Sequence, residues 1–247
     1  HEMNADAVDR LRLENDLRSA IKKGDELILH YQPQVEAESG CIVAAEALLR
    51  WHHPRHGLIS PADFIPMAEE TGLIVPIGEW VLRQVCAQLR SWIEAGRPAL
   101  VIAVNLSPRQ FHQPDIVEMI ASALHDYDLP PHLLELEITE SSLMRNPEEA
   151  AILLGALSEM GFRLSIDDFG TGYSSLSYLK RFPLNALKID RSFVADIESS
   201  HDSASIAAAV IALAHSLGLK VVAEGVEQDS QMDYLRNLEC DLVQGYL

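Results

Sequence analysis

Two adjacent carboxylates, Asp167 and Asp168, follow the apolar stretch Leu164–Ile166. Carboxylates this close repel each other and are costly to bury without a partner. A hard divalent cation relieves that cost, and oxygen ligands suit Mg²⁺ or Mn²⁺. Glycines at 170 and 172 give the following loop freedom, and Ser174 and Ser175 offer a helix start. The same pair also suits a solvated turn, with an Asp capping a helix. Other polar residues stand where buried strands should end. They are Glu46, Asn105, Glu137, Lys188, Asp190, Glu224 and Gln244. The set is rich in oxygen and contains no histidine, which disfavours zinc. Carboxylates converging on one point can hold two cations, which position and deprotonate a water and stabilise the leaving oxygen of a phosphodiester.

Several other features read as structural. His52, His53 and His56 fall in a Pro/Gly loop and are expected to be structural or solvent-facing. Trp51, Trp80 and Trp92 read as packing residues, and Glu69–Glu70 as a solvated helix face. The two-glycine loop has no P-loop lysine.

The elements that must position these residues alternate along the chain. Leucines 11, 13 and 17 with Ile21 mark a first helix, ended by Lys22-Lys23-Gly24. Strands over 27–35 and 42–51 flank a Gly-containing turn at 38–40, so they form an antiparallel hairpin. Helices follow at 61–71 and from Pro76 to about 95. Strands are then predicted at 100–106, 133–139, 162–166, 186–189, 219–223 and 242–244. The helices between them span 108–127, 147–160, 174–182, 203–217 and 230–238, with a helical turn after 189. Eight strands alternating with helices predict an α/β fold, a modified TIM-type (β/α)₈ barrel with an antiparallel first strand. In such a barrel the active site lies at the C-terminal strand ends, where the polar residues fall.

The chain has 247 residues, enough for one barrel, with 48% hydrophobic residues and a net charge of −18. That charge argues against binding long nucleic acid, but bound cations admit a small phosphodiester. Cys41, Cys86 and Cys240 form no zinc or disulfide pattern, which fits a reducing, cytoplasmic setting. The longest apolar run, 206–214, is too short for a membrane span within this chain, and an anchor elsewhere in a longer parent stays open.

The motif set resembles the EAL-domain family of cyclic di-GMP phosphodiesterases. EALLRW begins at Glu46 and YQP at Tyr31. NLS begins at Asn105, and ExTE runs from Glu137 to Glu140. DDFGTGYSSL begins at Asp167, KID spans 188–190, AEGVE 223–227 and QGY 244–246. The resemblance covers the chain from about Leu11, so 1–10 reads as a linker and 11–247 as the domain. It implies hydrolysis of cyclic di-GMP to linear pGpG by two divalent cations, Mg²⁺ or Mn²⁺, with Ca²⁺ inhibitory. By resemblance, Glu46, Asn105, Glu137, Asp167 and Asp168 are metal ligands, with Lys188 and Glu224 catalytic. Lys188 is similar to the lysine that contacts the attacking water, and Glu224 to a ligand acting directly or through water. Gln32, Leu49, Arg50, Asp190, Glu227 and Gln244 are implied to line the substrate groove, with Arg50 on a phosphate. Glu140 resembles the glutamate that anchors the loop after the Asp pair. A homodimer within a larger multidomain signalling protein is also implied. The family continues past QGY into a closing helix, so a truncated C-terminal end is expected. A non-catalytic cyclic di-GMP receptor is the main alternative, and an unrelated phosphodiester-cleaving barrel a third.

Overall fold

The computed structural model describes residues 2–170 and 176–246. Nine strands form one sheet. They are β1 (Leu27–Glu36), β2 (Ile42–His53), β3 (Gly57–Ile59), β4 (Val101–Leu106), β5 (Leu134–Thr139), β6 (Arg163–Phe169), β7 (Ala186–Ile189), β8 (Lys220–Val226) and β9 (Leu242–Gly245). The order is β1-β9-β8-β7-β6-β5-β4-β2-β3, and β1 also pairs with β2. That last pairing closes eight strands into a barrel and leaves β3 outside as a short flap on β2. β1 runs antiparallel to both neighbours, as the hairpin predicted, and the other barrel pairings are parallel.

The helices are α1 (Glu2–Lys23), α2 (Pro61–Thr71), α3 (Ile74–Glu94), α4 (Pro108–Phe111), α5 (Ile116–Asp126), α6 (Glu140–Arg145), α7 (Pro147–Glu159), α8 (Leu176–Leu179), α9 (Arg191–Ala195), α10 (His201–Ser216) and α11 (Asp229–Asn237). Side-chain alternation explains the layers. Ile102, Val104 and Leu106 point outward under the helices, as do Leu134, Leu136 and Ile138, and all are buried. Each such side chain contributes about 1.5–3 kcal/mol by leaving water. The intervening residues face the barrel interior.

Several boundaries differ from expectation. The helix predicted over 108–127 is two helices, because Pro114 cannot donate to a continuous ladder. Its first piece has a capping box between Ser107 and Gln110. α3 starts before Pro76, which then sits in the first turn where its missing N–H is harmless. α1 begins at Glu2, within the stretch read as a linker. β6 and β8 run on through Asp168 and Glu224, so these residues belong to strands. Short β3 and α6 carry no period long enough to read. The predicted helix start at Ser174–Ser175, and Gly172, lie outside the described residues.

The wall between β1 and β9 is thin. Only Val35–Val243 and Glu36–Leu242 pair there. Above them three glutamines bridge the seam. Gln34 Nε2 donates to Gln244 Oε1 at 3.1 Å, Gln244 Nε2 to Gln32 Oε1 at 3.1 Å, and Gln32 Nε2 to the Gly245 carbonyl at 3.3 Å.

Candidate active site

Lys188 stands at the centre, on β7, with its side chain fully inside the barrel. Its Nζ lies 2.6 Å from Glu224, 2.8 Å from Glu137, 3.3 Å from Glu46 and 3.3 Å from Asp167. Four strands thus send a carboxylate to one ammonium. Loss of water disfavours the lysine charge, but Glu137, Glu46, Asp167 and Glu224 outweigh it and push the Lys188 pKa well up. In this arrangement Lys188 is a protonated countercharge.

One cation does not balance four acids, and the surplus shows in the acids. Burial, with added repulsion from Asp167, pushes the Glu224 carboxyl up to about 7. Burial, then Asp167 and Asp190, pushes Asp168 up to about 6. Burial also drives Glu137 upward. Burial raises Glu46 as well, but Lys188 and hydrogen bonds from Gln244 and Asn105 hold it low. Those bonds are 2.6 Å each, from Asn105 Nδ2 to Oε1 and from Gln244 Nε2 to Oε2. With its amide N–H spent on Glu46, Asn105 keeps its carbonyl oxygen for a cation.

Consecutive strand residues normally point to opposite faces. Asp167 and Asp168 escape this because the β6–β7 register shifts between Ile166 and Phe169. Asp168 takes φ 54, a left-handed conformation uncommon outside glycine. One oxygen each from Asp167, Asp168 and Glu224 then lie within 4.8 Å of one another. A matching shift separates Glu224 from Val226 on β8, with Gly225 at φ 72. Two of the four carboxylate-bearing strands, β6 and β8, are therefore irregular at the site, as bulged strands are.

The residues present fit divalent cations. All donors are oxygens, Glu137 Oε1 is buried without a hydrogen-bond partner, and three carboxylates already gather at one point. Glu140, buried at the start of α6, accepts the Gly170 N–H on Oε2 at 3.1 Å. It therefore holds the chain just after Asp168.

Around the cluster is a cleft of about 260 Å³, lined in part by Gln32, Arg50, Glu227 and Gln244. Leu49 lies beside it in a largely apolar cavity of about 300 Å³, with Pro61, Ile65 and Asn105. Asp190 caps α9, accepting the Ser192 N–H at 3.0 Å. Every site residue named from the sequence is thus at this end of the barrel. The reading missed Arg191, which lines the cleft and pairs with Glu227 at 3.2 Å. Its place directly after a strand-end Asp was the available signal. It also missed Pro61 and Ile65, which carry no chemical mark. The histidines stand apart. His53 is buried, with Nδ1 accepting the Arg55 and His56 N–H groups and Nε2 bonded to Asp16 at 3.1 Å. Trp51 packs on Phe64 in the core.

The family model described as EAL domain matches residues 14–247. The bifunctional diguanylate cyclase/cyclic di-GMP phosphodiesterase MucR of Pseudomonas aeruginosa is 50% identical over 245 residues. That match takes in 99% of this chain and 36% of MucR. The cyclic di-GMP phosphodiesterase NbdA of the same species is 48% identical over 241 residues, covering 98% of this chain and 31% of NbdA. The chain spans about a third of the length of these curated relatives. A solved structure described as PaMucR phosphodiesterase, c-di-GMP complex, superposes with TM-score 0.93 at 50% identity. It covers 96% of this chain and 95% of that one.

Proposed function

Because this chain belongs to the EAL domain family, we propose that it hydrolyses one phosphodiester of cyclic di-GMP to linear 5′-pGpG with two divalent cations, Mg²⁺ or Mn²⁺. The observation that carries this reading is the convergence of Glu46, Glu137, Asp167 and Glu224 on Lys188 Nζ, with Asn105 and Asp168 alongside. A receptor that only binds has no need of so many buried acids, whose burial without cations is costly.

In this reading Glu46, Asn105, Glu137 and Asp167 hold one cation. Asp168, with Asp167, would hold the second, and Glu224 would act as a ligand directly or through water. When bound, divalent cations would supply Lewis-acid chemistry, making a water more acidic and offsetting charge on the leaving oxygen. Lys188, relieved of neutralising the acids, turns an N–H to the attacking water and orients it. Arg50 grips a phosphate oxygen with charge-assisted hydrogen bonds. Gln32, Asp190, Glu227 and Gln244 line the path of the nucleotide. Leu49, Pro61 and Ile65 offer an apolar wall for one guanine. Glu140 keeps Asp168 in place through Gly170. Ca²⁺, which accepts looser geometry, would be expected to occupy the site without supporting turnover.

The same reading makes the chain the phosphodiesterase part of a larger, dimeric, cytoplasmic signalling protein. No helix among the described residues is long and apolar enough to cross a membrane. The test is incubation with cyclic di-GMP in Mg²⁺ or Mn²⁺, with products separated by chromatography. A pGpG peak, abolished by EDTA and restored by either cation, is expected. Binding without product in both metals makes the domain a receptor instead.

A further inference from the structure

We propose that Arg191 contacts the substrate, taking the second phosphate of the cyclic dinucleotide while its pairing with Glu227 fixes that carboxylate. This rests on the phosphodiesterase reading above. Arg191 opens α9, one residue beyond Asp190, and lines the same cleft as Arg50. Its Nη2 meets Glu227 at 3.2 Å, with both side chains partly open to water. An exposed pair of this kind adds little to stability. Yet the backbone makes room for it. Gly225 has φ 72, and a Cβ there would come within 2.4 Å of Arg191 Cγ and 3.0 Å of its Cβ and Cδ. The bulge in β8 and the missing side chain together create a seat for the arginine stem. That effort is out of proportion to a weak surface pair, and it fixes a guanidinium over the cleft.

Charge and symmetry say what the guanidinium meets. Among the described residues lining the cleft, Glu46, Asp167, Glu224 and Glu227 face two cations, Arg50 and Arg191. The proposed cations would neutralise the first three acids, which leaves Glu227 to Arg191. Without that partner, Glu227 would repel any anion entering the cleft. Arg50 belongs to β2 and Arg191 follows β7. These strands stand four places apart in the eight-strand ring, on opposite sides. A cyclic dinucleotide carries a phosphate on each side of its ring. When Arg50 holds the one over the carboxylates, the other is presented to the far wall. A guanidinium has five N–H donors, and the bond to Glu227 leaves others of the fork to grip a phosphate.

The test compares wild type, Arg191→Ala and Arg191→Lys. Affinity for cyclic di-GMP is measured by calorimetry in Ca²⁺. Turnover in Mn²⁺ is measured on cyclic di-GMP and on bis(p-nitrophenyl) phosphate, which has one phosphodiester and no second phosphate. Arg191→Ala should weaken cyclic di-GMP binding by about 10- to 100-fold, the loss of one charge-assisted contact. Its loss of kcat/KM on the cyclic dinucleotide should exceed its loss on the small diester by about tenfold, with KM moving more than kcat. Arg191→Lys should recover part of the affinity, because a point charge replaces a fork. Wild-type affinity in Arg191→Ala, or equal losses on both substrates, overturns the proposal alone. Failure of the wild-type domain to bind cyclic di-GMP overturns the phosphodiesterase reading and this proposal with it.

Discussion

At the scale of the residue, Lys188 has two duties that mutation can separate. It neutralises buried carboxylates in this structure, and in the proposed function it orients water once cations are bound. Lys188→Ala should leave much of the substrate affinity in Ca²⁺ yet lower pGpG formation by about 10²–10⁴-fold. In EDTA the same variant should lose about 3–5 kcal/mol of stability, because buried acids are left uncompensated. Mg²⁺ or Mn²⁺ should restore most of that stability and none of the lost turnover. Wild-type turnover in this variant would make the lysine purely structural. The acids predict a pH dependence of the metal-free fold. Glu224 stands at about 7 against 4.5, and Asp168 at about 6 against 3.8. A carboxyl pKa raised by folding means the folded state holds the proton more tightly. The associated stability is fully present below about pH 4 and is lost as pH rises through about 7. In EDTA the urea midpoint should therefore fall between about pH 5 and about pH 8, and Glu224→Gln should flatten the change. A midpoint that rises over this range contradicts the surplus of buried acid.

At the scale of the element, the end of β6 is tied to α6 at Gly170. Glu140→Ala removes the acceptor for the Gly170 N–H, and with it the restraint on Asp168 two residues earlier. Metal affinity and turnover should both fall while far-UV circular dichroism stays that of the barrel. Unchanged metal dependence would end the anchoring role. The strands that carry these residues were largely legible, because buried strands bounded by glycine and proline announce themselves. The antiparallel start was legible for the same reason, from the short turn at 38–40. The candidate site residues stood out as a set because charge at a strand end breaks the apolar rule, and because eight ordered motifs agree. What escaped was backbone irregularity. Nothing in Asp167-Asp168 tells of the register shift that turns both carboxylates to one side, since it comes from the pairing of β6 with β7. Nor does Gly225 reveal that its missing side chain seats Arg191, fixed by packing between β8 and α9. The break at Pro114 had a visible cause, but the helical period on both sides hid it.

At the scale of the molecule, the closure of the barrel is uneven. β1 and β2 pair along nine residues, whereas β1 and β9 pair at two. Local opening follows the least-bonded boundary, so amides of β9 should exchange with solvent faster than those of β5. Gln34→Ala, which removes the bond to Gln244, should speed β9 exchange further and leave β5 alone. Equal protection of both strands would show the seam to be as firm as the rest of the wall. Gln244, one of the three glutamines that bridge this seam, also donates to Glu46 at 2.6 Å. The barrel is in effect a sprung collar whose clasp sits inside its own working cleft. Whatever prises the collar open also slackens the grip on Glu46, so strain on the wall and the aim of a proposed cation ligand are one event.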